Sequence, residues 1–308
     1  MLFGEITFRR EILDRVNDFC DKKDIVPIYG AVVGGISKGL QYCDSDYDTR
    51  FLYLSKEGIN RILIPDNLKE KDIVTRYYPD DETVYEWIPF WEMTSFLHFL
   101  INPCIDGKVS SGLYNIVGWT LGSPYNWDPY GLQSKLMPLV NRIFIPKYLL
   151  EYHLAQLDIF YYEGDSVIAK DYFYAVYSAL CMNWVMLTRQ YPPTYIETLI
   201  TLLNDVMLKR AIHELIQNSR ADARKYIEKD NNDEAGDLLI LHTAHYHVST
   251  THNPILDGFI DSMKTEAMKW LDKSDEGEID EGMTVGMVDE MYHIIDSSMH
   301  EESVKNIS

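Results

Sequence analysis

The chain has 308 residues, of which 46% are apolar, and carries a formal net charge of −20. That length and apolar content exclude a globally disordered chain and predict a sizeable core shared between two domains. The charge is concentrated after residue 150, where 28 of the 48 acidic but only 12 of the 28 basic residues stand; so acidic a chain excludes a broad nucleic-acid-binding surface, because phosphate contacts need Lys and Arg.

The opening stretch MLFGEITFRREILDR is amphipathic and charged, without the apolar core of a signal peptide. Glu5 to Cys20 reads as a helix with Ile6, Ile12, Leu13, Val16 and Phe19 near one face. Ile25 to Val33 is a β-branched run ending at Gly34-Gly35, a buried strand meeting a tight turn. Asp46 to Leu54 alternates as a second strand, Pro65 to Asp81 is polar and reads as irregular, and Thr83 to Ile88 reads as a third strand. Trp91 to Ile101 reads as a helix stopped at Asn102-Pro103. Proline, glycine and asparagine gather from Gly118 to Gly131, which places the domain transition there.

From Lys147 the pattern is helical, with helices expected over Tyr148–Tyr162, Asp171–Arg189, Pro192–Leu203, Leu208–Lys229 and Ile255–Leu271. The segment 274–308 holds ten acidic residues and one lysine, the composition of a solvated, flexible tail, although Met283, Val285, Met287, Val288, Met291 and Ile294 suit one short helix. No stretch reaches the roughly 18 apolar residues of a membrane span. Cysteines at 20, 43, 104 and 181 form no CxxC pair and read as reduced thiols of a cytoplasmic protein. The elements together predict an α+β chain: a small sheet with flanking helices, then an all-helical domain.

The chemistry gathers in GGISKGLQYCDSDYD, residues 34–48. In a strand, residues i and i+2 share a face, so Asp46 and Asp48 set two carboxylates side by side. Such a pair repels unless a cation lies between, and magnesium suits hard oxygen ligands shared with substrate phosphates. A glycine turn before a short helix lets backbone N–H groups approach a triphosphate closely. Together these predict a two-metal phosphoryl-transfer site with an NTP as substrate. The competing calcium-loop reading of Asp44 to Asp48 fails, since it needs glycine and glutamate where Thr49 and Ser55 stand.

This strip resembles the RlaP-type nucleotidyltransferases of the DNA polymerase β superfamily, a group associated with RNA repair and also carried by phages. Gly34, Gly39, Asp44, Ser45, Asp46, Tyr47, Asp48, Arg50, Phe51 and Tyr53 match the strip. Trp91, Asn102-Pro103, Ser123-Pro124, Lys170, Tyr172, Tyr174 and Pro192-Pro193 extend the resemblance. Gly35 stands at a usual serine, Ile36 at a usual arginine, Thr94-Ser95 at a common Arg-Lys pair, and Tyr177 at a common arginine.

The domain transition divides the chain into a catalytic domain over residues 1–128, which the resemblance makes polymerase-β-like, a helical domain over 129–273 and, by composition, an acidic flexible tail over 274–308. The −20 charge favours a protein side chain as acceptor, and the reduced thiols a cytoplasm, the host's for a viral chain. The resemblance itself implies a metal-dependent nucleotidyltransferase that moves a nucleoside monophosphate from an NTP to a hydroxyl, and it favours an RNA 3′ end. It also implies a third carboxylate on a neighbouring strand. Glu86 in TVYEWI is the candidate, with Asp81 and Glu82 as rivals. The expected metal ligands are Asp46, Asp48 and Glu86, and the expected triphosphate-binding residues are Gly34, Gly35, Ser37, Lys38 and Arg50, with Lys170 a further candidate. Lys38 reads equally as a solvated surface lysine, and Arg50 as a structural partner of an acid. His242, His245, His247 and His252 fit no common zinc spacing and read as a histidine-rich loop. The alternative to an enzyme is a non-catalytic protein that keeps the fold to bind a nucleotide or a partner.

Overall fold

The computed structural model describes residues 10–40, 48–55, 74–77, 88–100, 104–105, 108–109, 111–161, 164, 166–230, 249–273 and 281–305. By their contacts these residues fall into two compact units, one drawn from 1–37, 47–145 and 277–308, the other from 38–46 and 146–276.

The first unit begins with α1, Arg10–Lys23. Ile12, Val16, Phe19 and Cys20 recur at helical spacing, and all four are buried against Phe51 and Tyr53. Burial of a side chain of this size stabilises by roughly 1.5–3 kcal/mol. Lys22 and Lys23 close the last turn, where positive charge complements the helix dipole. Asp24 then takes a left-handed φ of 55° and turns the chain into β1, Ile25–Val32.

β1 pairs antiparallel with β2, Thr49–Ser55, and the register slips between Pro27 and Tyr29, where proline has no N–H to give the ladder. Between these strands comes α2, Gly34–Lys38. Further on, β3, Val74–Tyr77, pairs antiparallel with β4, Ile88–Glu92, and β4 runs parallel to β2. α3, Met93–His98, follows and drives Phe96 and Leu97 into the core. A small hairpin of β5, Cys104–Ile105, and β6, Lys108–Val109, precedes α4, Ser111–Leu121. β7, Asn126–Trp127, then returns to pair with β1, giving one mixed sheet in the order β3-β4-β2-β1-β7.

α5, Leu132–Arg142, is capped by the Asp128 carboxylate, which accepts from the N–H groups of Leu132 and Gln133 at 2.7 and 2.9 Å. Against it packs the C-terminal helix, Glu281–Lys305. The expected flexible tail is corrected here: Met287, Met291, Ile295 and Ser298 form a buried line, and Lys135 Nζ donates to Ser298 Oγ at 2.7 Å. An acidic composition marks the outward positions Asp289, Glu290 and Asp296; it does not unfold a helix whose other face is covered.

Three further expectations shift. The span 65–81, read as irregular, holds β3. Trp91 lies in β4 instead of opening a helix. The glycine-rich stretch 118–131 starts inside α4 and continues through β7, and the break between units falls at Ile145–Pro146. Residues 83–87 of the expected third strand lie outside the described residues.

The second unit is helical. α6, Pro146–Phe160, packs on α7, Ala169–Thr188, which is buried nearly all round and forms the unit's axis. α8, Ile196–Ile200, and α9, Val206–Asp230, follow, the latter capped by Asp205 Oδ1, which accepts from Met207 and Leu208 N–H at 2.8 and 3.1 Å. Two short strands, β8 over Val167–Ile168 and β9 over Ser249–Thr250, pair ahead of α10, Pro254–Lys273. Among the described residues no helix is long and apolar enough to cross a membrane.

Candidate active site

The glycine turn is held before it begins. Both main-chain groups of Val32, the last residue of β1, are taken by the segment after α4. Its N–H donates to the Tyr125 carbonyl at 2.8 Å, and its carbonyl accepts from Ser123 Oγ at 2.6 Å. Gln133 Nε2 in turn donates to the carbonyls of Leu121 and Ser123, so the support is itself braced. Val33 N–H then donates to the Asp48 carbonyl at 2.9 Å, which brings the head of β2 beside the turn.

Gly34 is required for two physical reasons. Its φ is +73°, a region L-residues enter at a cost of about 1–2 kcal/mol. A Cβ there would also run into Oδ2 of Asp48. Gly35 takes no positive φ. Ser37 is buried and its Oγ donates to the Gly34 carbonyl at 3.0 Å, bracing the turn from inside.

Asp48 is exposed, its carboxylate lying where the Gly34 side chain would be. Two residues on, Arg50 is half-buried. Its Nη1 donates to Thr120 Oγ1 at 3.3 Å, and its guanidinium carbon lies 5.8 Å from the centre of the Trp91 ring.

Lys38 groups with the helical unit. It is only 5% exposed, so it is not a solvated surface lysine. Its ammonium lies 4.9 Å from the Tyr174 ring centre and 5.5 Å from that of Tyr177. The buried His153 imidazole is pushed down to about 3, first by burial and then by the Lys38 charge. Burial pushes the Cys181 thiol up to about 12, against the opposing pull of Tyr177 and Lys38. Tyr177 donates to the Thr194 carbonyl at 2.9 Å, and burial raises its phenol well above the usual range. Gly39 takes a φ of +90°, and a Cβ on it would meet Tyr195 at 2.9 Å and Ile196 at 3.1 Å.

Asp46 and Glu86 lie outside the described residues, as do His242, His245 and His247. His252 is described, and its Nδ1 lies 3.1 Å from Asp257 Oδ1, which also accepts from Tyr172 Oη at 2.7 Å. That knot joins β9 and α10 to α7. Among the described residues no group of three or more His, Cys, Asp or Glu side chains is gathered as for a metal ion. Asp48 alone of the expected ligands can be tested against magnesium, and it fits: a hard oxygen donor, exposed, beside a backbone stripped of its Cβ.

Sequence reading missed the supports of this site. Thr120, Gln133 and Asn126 carry no motif, and Asn126 Nδ2 completes the brace by donating to the Ser123 carbonyl at 3.2 Å. Ser123 carried a signal only through Ser123-Pro124, and Trp91 was placed in the wrong kind of element.

No curated protein matches the chain. Residues 146–269, most of the helical unit, match the family RlaP, described as the RNA repair pathway DNA polymerase beta family, and over that span the chain is similar to this family of polymerase β-type nucleotidyltransferases.

Proposed function

We propose that the chain is a metal-dependent nucleotidyltransferase that moves a nucleoside monophosphate from an NTP to a hydroxyl acceptor and releases pyrophosphate. One observation carries the reading: Gly34 and Asp48, fourteen positions apart in the sequence, are in contact, and the carboxylate occupies the space of the missing Cβ. The glycine turn and the second aspartate of the motif thus lie side by side.

Asp48, with Asp46 and Glu86, would hold magnesium, which when bound neutralises the triphosphate and polarises the α-phosphorus. The backbone at Gly34-Gly35 lets the triphosphate approach closely, and Ser37 keeps that turn rigid. The acceptor oxygen attacks the α-phosphorus, the bond from the α-phosphorus to the bridging oxygen breaks, and pyrophosphate leaves. Glu86 takes the acceptor's proton. The family name points to an RNA 3′ end, whereas the −20 charge favours a protein side chain, which lacks the repulsion of a polyanion.

The test is magnesium-dependent pyrophosphate release from each NTP, with labelled NTP and either RNA or cell extract as acceptor source. Label on one acceptor class is expected, lost by at least about a hundredfold in Asp48→Asn. Release that survives Asp46→Asn together with Asp48→Asn sinks the reading. The alternative is nucleotide binding without transfer. Calorimetric NTP binding with no pyrophosphate release would select it.

A further inference from the structure

We propose that Arg50 is a positioning residue: docked on Thr120 and Trp91, it sets the direction in which the Asp48 carboxylate leaves the head of β2, and it does not bind the triphosphate. The inference rests on the nucleotidyl-transfer reading of Asp48.

Alternation along the chain puts residues 48, 50 and 52 on one side. On that side Leu52 is paired with Trp91 across the parallel β2–β4 ladder, which sets the indole beside Arg50. Ala31, the partner of Arg50 on β1, is too small to fill the space, so the guanidinium lies over the ring toward α4. There it meets Thr120, which is fully buried. The Thr120 hydroxyl proton is committed to the Ile116 carbonyl at 2.8 Å, so Oγ1 presents lone pairs to Arg50. The Thr120 carbonyl is held in turn by Tyr29 Oη at 3.2 Å, from the neighbouring strand.

Arg50 is therefore seated on a residue fixed from two directions. Asp48 stands between two anchors: its own carbonyl, bonded to Val33 N–H, and the Arg50 seat two residues on. A metal-binding carboxylate loses function when its supporting shell lets it swing, even by about 1 Å. The guanidinium supplies that support by lying over Trp91 while its Nη1 donates to Thr120, and a lysine has no planar fork with which to do both.

Three variants test this. Thr120→Val removes the acceptor and keeps the shape, Arg50→Lys keeps the charge and loses the plane, and Arg50→Met loses both. Expected are falls in kcat of about tenfold for the first two and about a hundredfold for the third, with the KM for NTP within about twofold of wild type. Calorimetry with Mn²⁺ alone should show weaker binding in Thr120→Val and Arg50→Lys, by roughly three- to tenfold, at unchanged NTP affinity. If Arg50→Met does not fold, the other two variants decide. A tenfold rise in KM or in the Kd for NTP in either Arg50 variant, with Thr120→Val silent, makes Arg50 a triphosphate ligand and overturns the proposal. A wild-type chain that binds Mn²⁺ and NTP but releases no pyrophosphate defeats the transfer reading, while the Mn²⁺ affinities still decide Arg50. A wild-type chain that binds no Mn²⁺ overturns both.

Discussion

Gly34 shows how one residue can answer to two demands. Its left-handed φ would tax any side chain by about 1–2 kcal/mol, and its missing Cβ is the room taken by the Asp48 carboxylate. Gly34→Ala should therefore lower pyrophosphate release by about a hundredfold, because it displaces the carboxylate as well as straining the turn. Gly35→Ala, at a residue without positive φ, should retain the larger share of activity under the same assay. Equal losses in the two variants would show that the backbone approach to phosphate, and not the Asp48 contact, governs the turn. The need for small residues at 34 and 35 was legible in the sequence, because a Gly-Gly pair ending a β-branched run announces a turn. Which glycine carries the constraint was not, since that depends on a side chain arriving from another strand. The surroundings of Lys38 and Arg50 were hidden for the same reason. A charge near a phosphate motif reads equally as a ligand or as a structural charge, and the rings of Tyr174, Tyr177 and Trp91 that lie against these two are distant in sequence.

At the scale of elements, the helices of the second unit were the most readable, because long apolar periodicity survives without knowledge of partners. α6, α7, α9 and α10 fall within a few residues of their expected spans. The short elements were not: β3 has four residues, β7 has two, and each is a strand only because a neighbour offers its edge. The C-terminal helix was misread by composition, since ten acids in the segment from 274 outweigh a thin apolar line that needs α5 to mean anything. That packing makes a prediction. Met291→Asp puts a carboxylate in a fully buried position of a helix that packs on α5, at a cost of several kcal/mol if the helix stays docked. The helix should instead detach, with protease cleavage appearing after residue 281 and a lower thermal midpoint. A freely solvated tail would register neither change. The match to the RlaP family falls on the helical unit, whereas the motif resemblance is sharpest in the strip before β2, so the two lines of likeness come from different halves of the chain.

For the whole molecule, charge and burial oppose one another as pH falls. The net charge of −20 at pH 7 shrinks toward zero at the pI of about 4.7, which relieves self-repulsion and favours the folded state. His153 acts in the other direction. Its folded pKa, about 3, lies below the ordinary value of 6.5, so between those limits the unfolded chain binds a proton that the folded chain refuses. Stability from this group is complete above about pH 6.5 and is lost progressively as pH falls toward about 3. The slope approaches about 1.4 kcal/mol per pH unit, so acidification from pH 7 to pH 5 removes roughly 2 kcal/mol. Relief of repulsion is spread over many exposed, screened carboxylates, whereas the effect of His153 is undiluted by solvent, since the side chain is buried and neither ring nitrogen has a hydrogen-bond partner among the described residues. His153→Met replaces the ring by an apolar group of similar size and deletes the proton acceptor. The variant should match or exceed wild type in thermal midpoint at pH 7 and lead it by a wider margin at pH 5, by an amount corresponding to about 2 kcal/mol. A margin that stays constant between the two pH values would mean that His153 takes up its proton in the folded state and that the ring lies in a wetter place than the packing around Lys38 and Tyr152 shows.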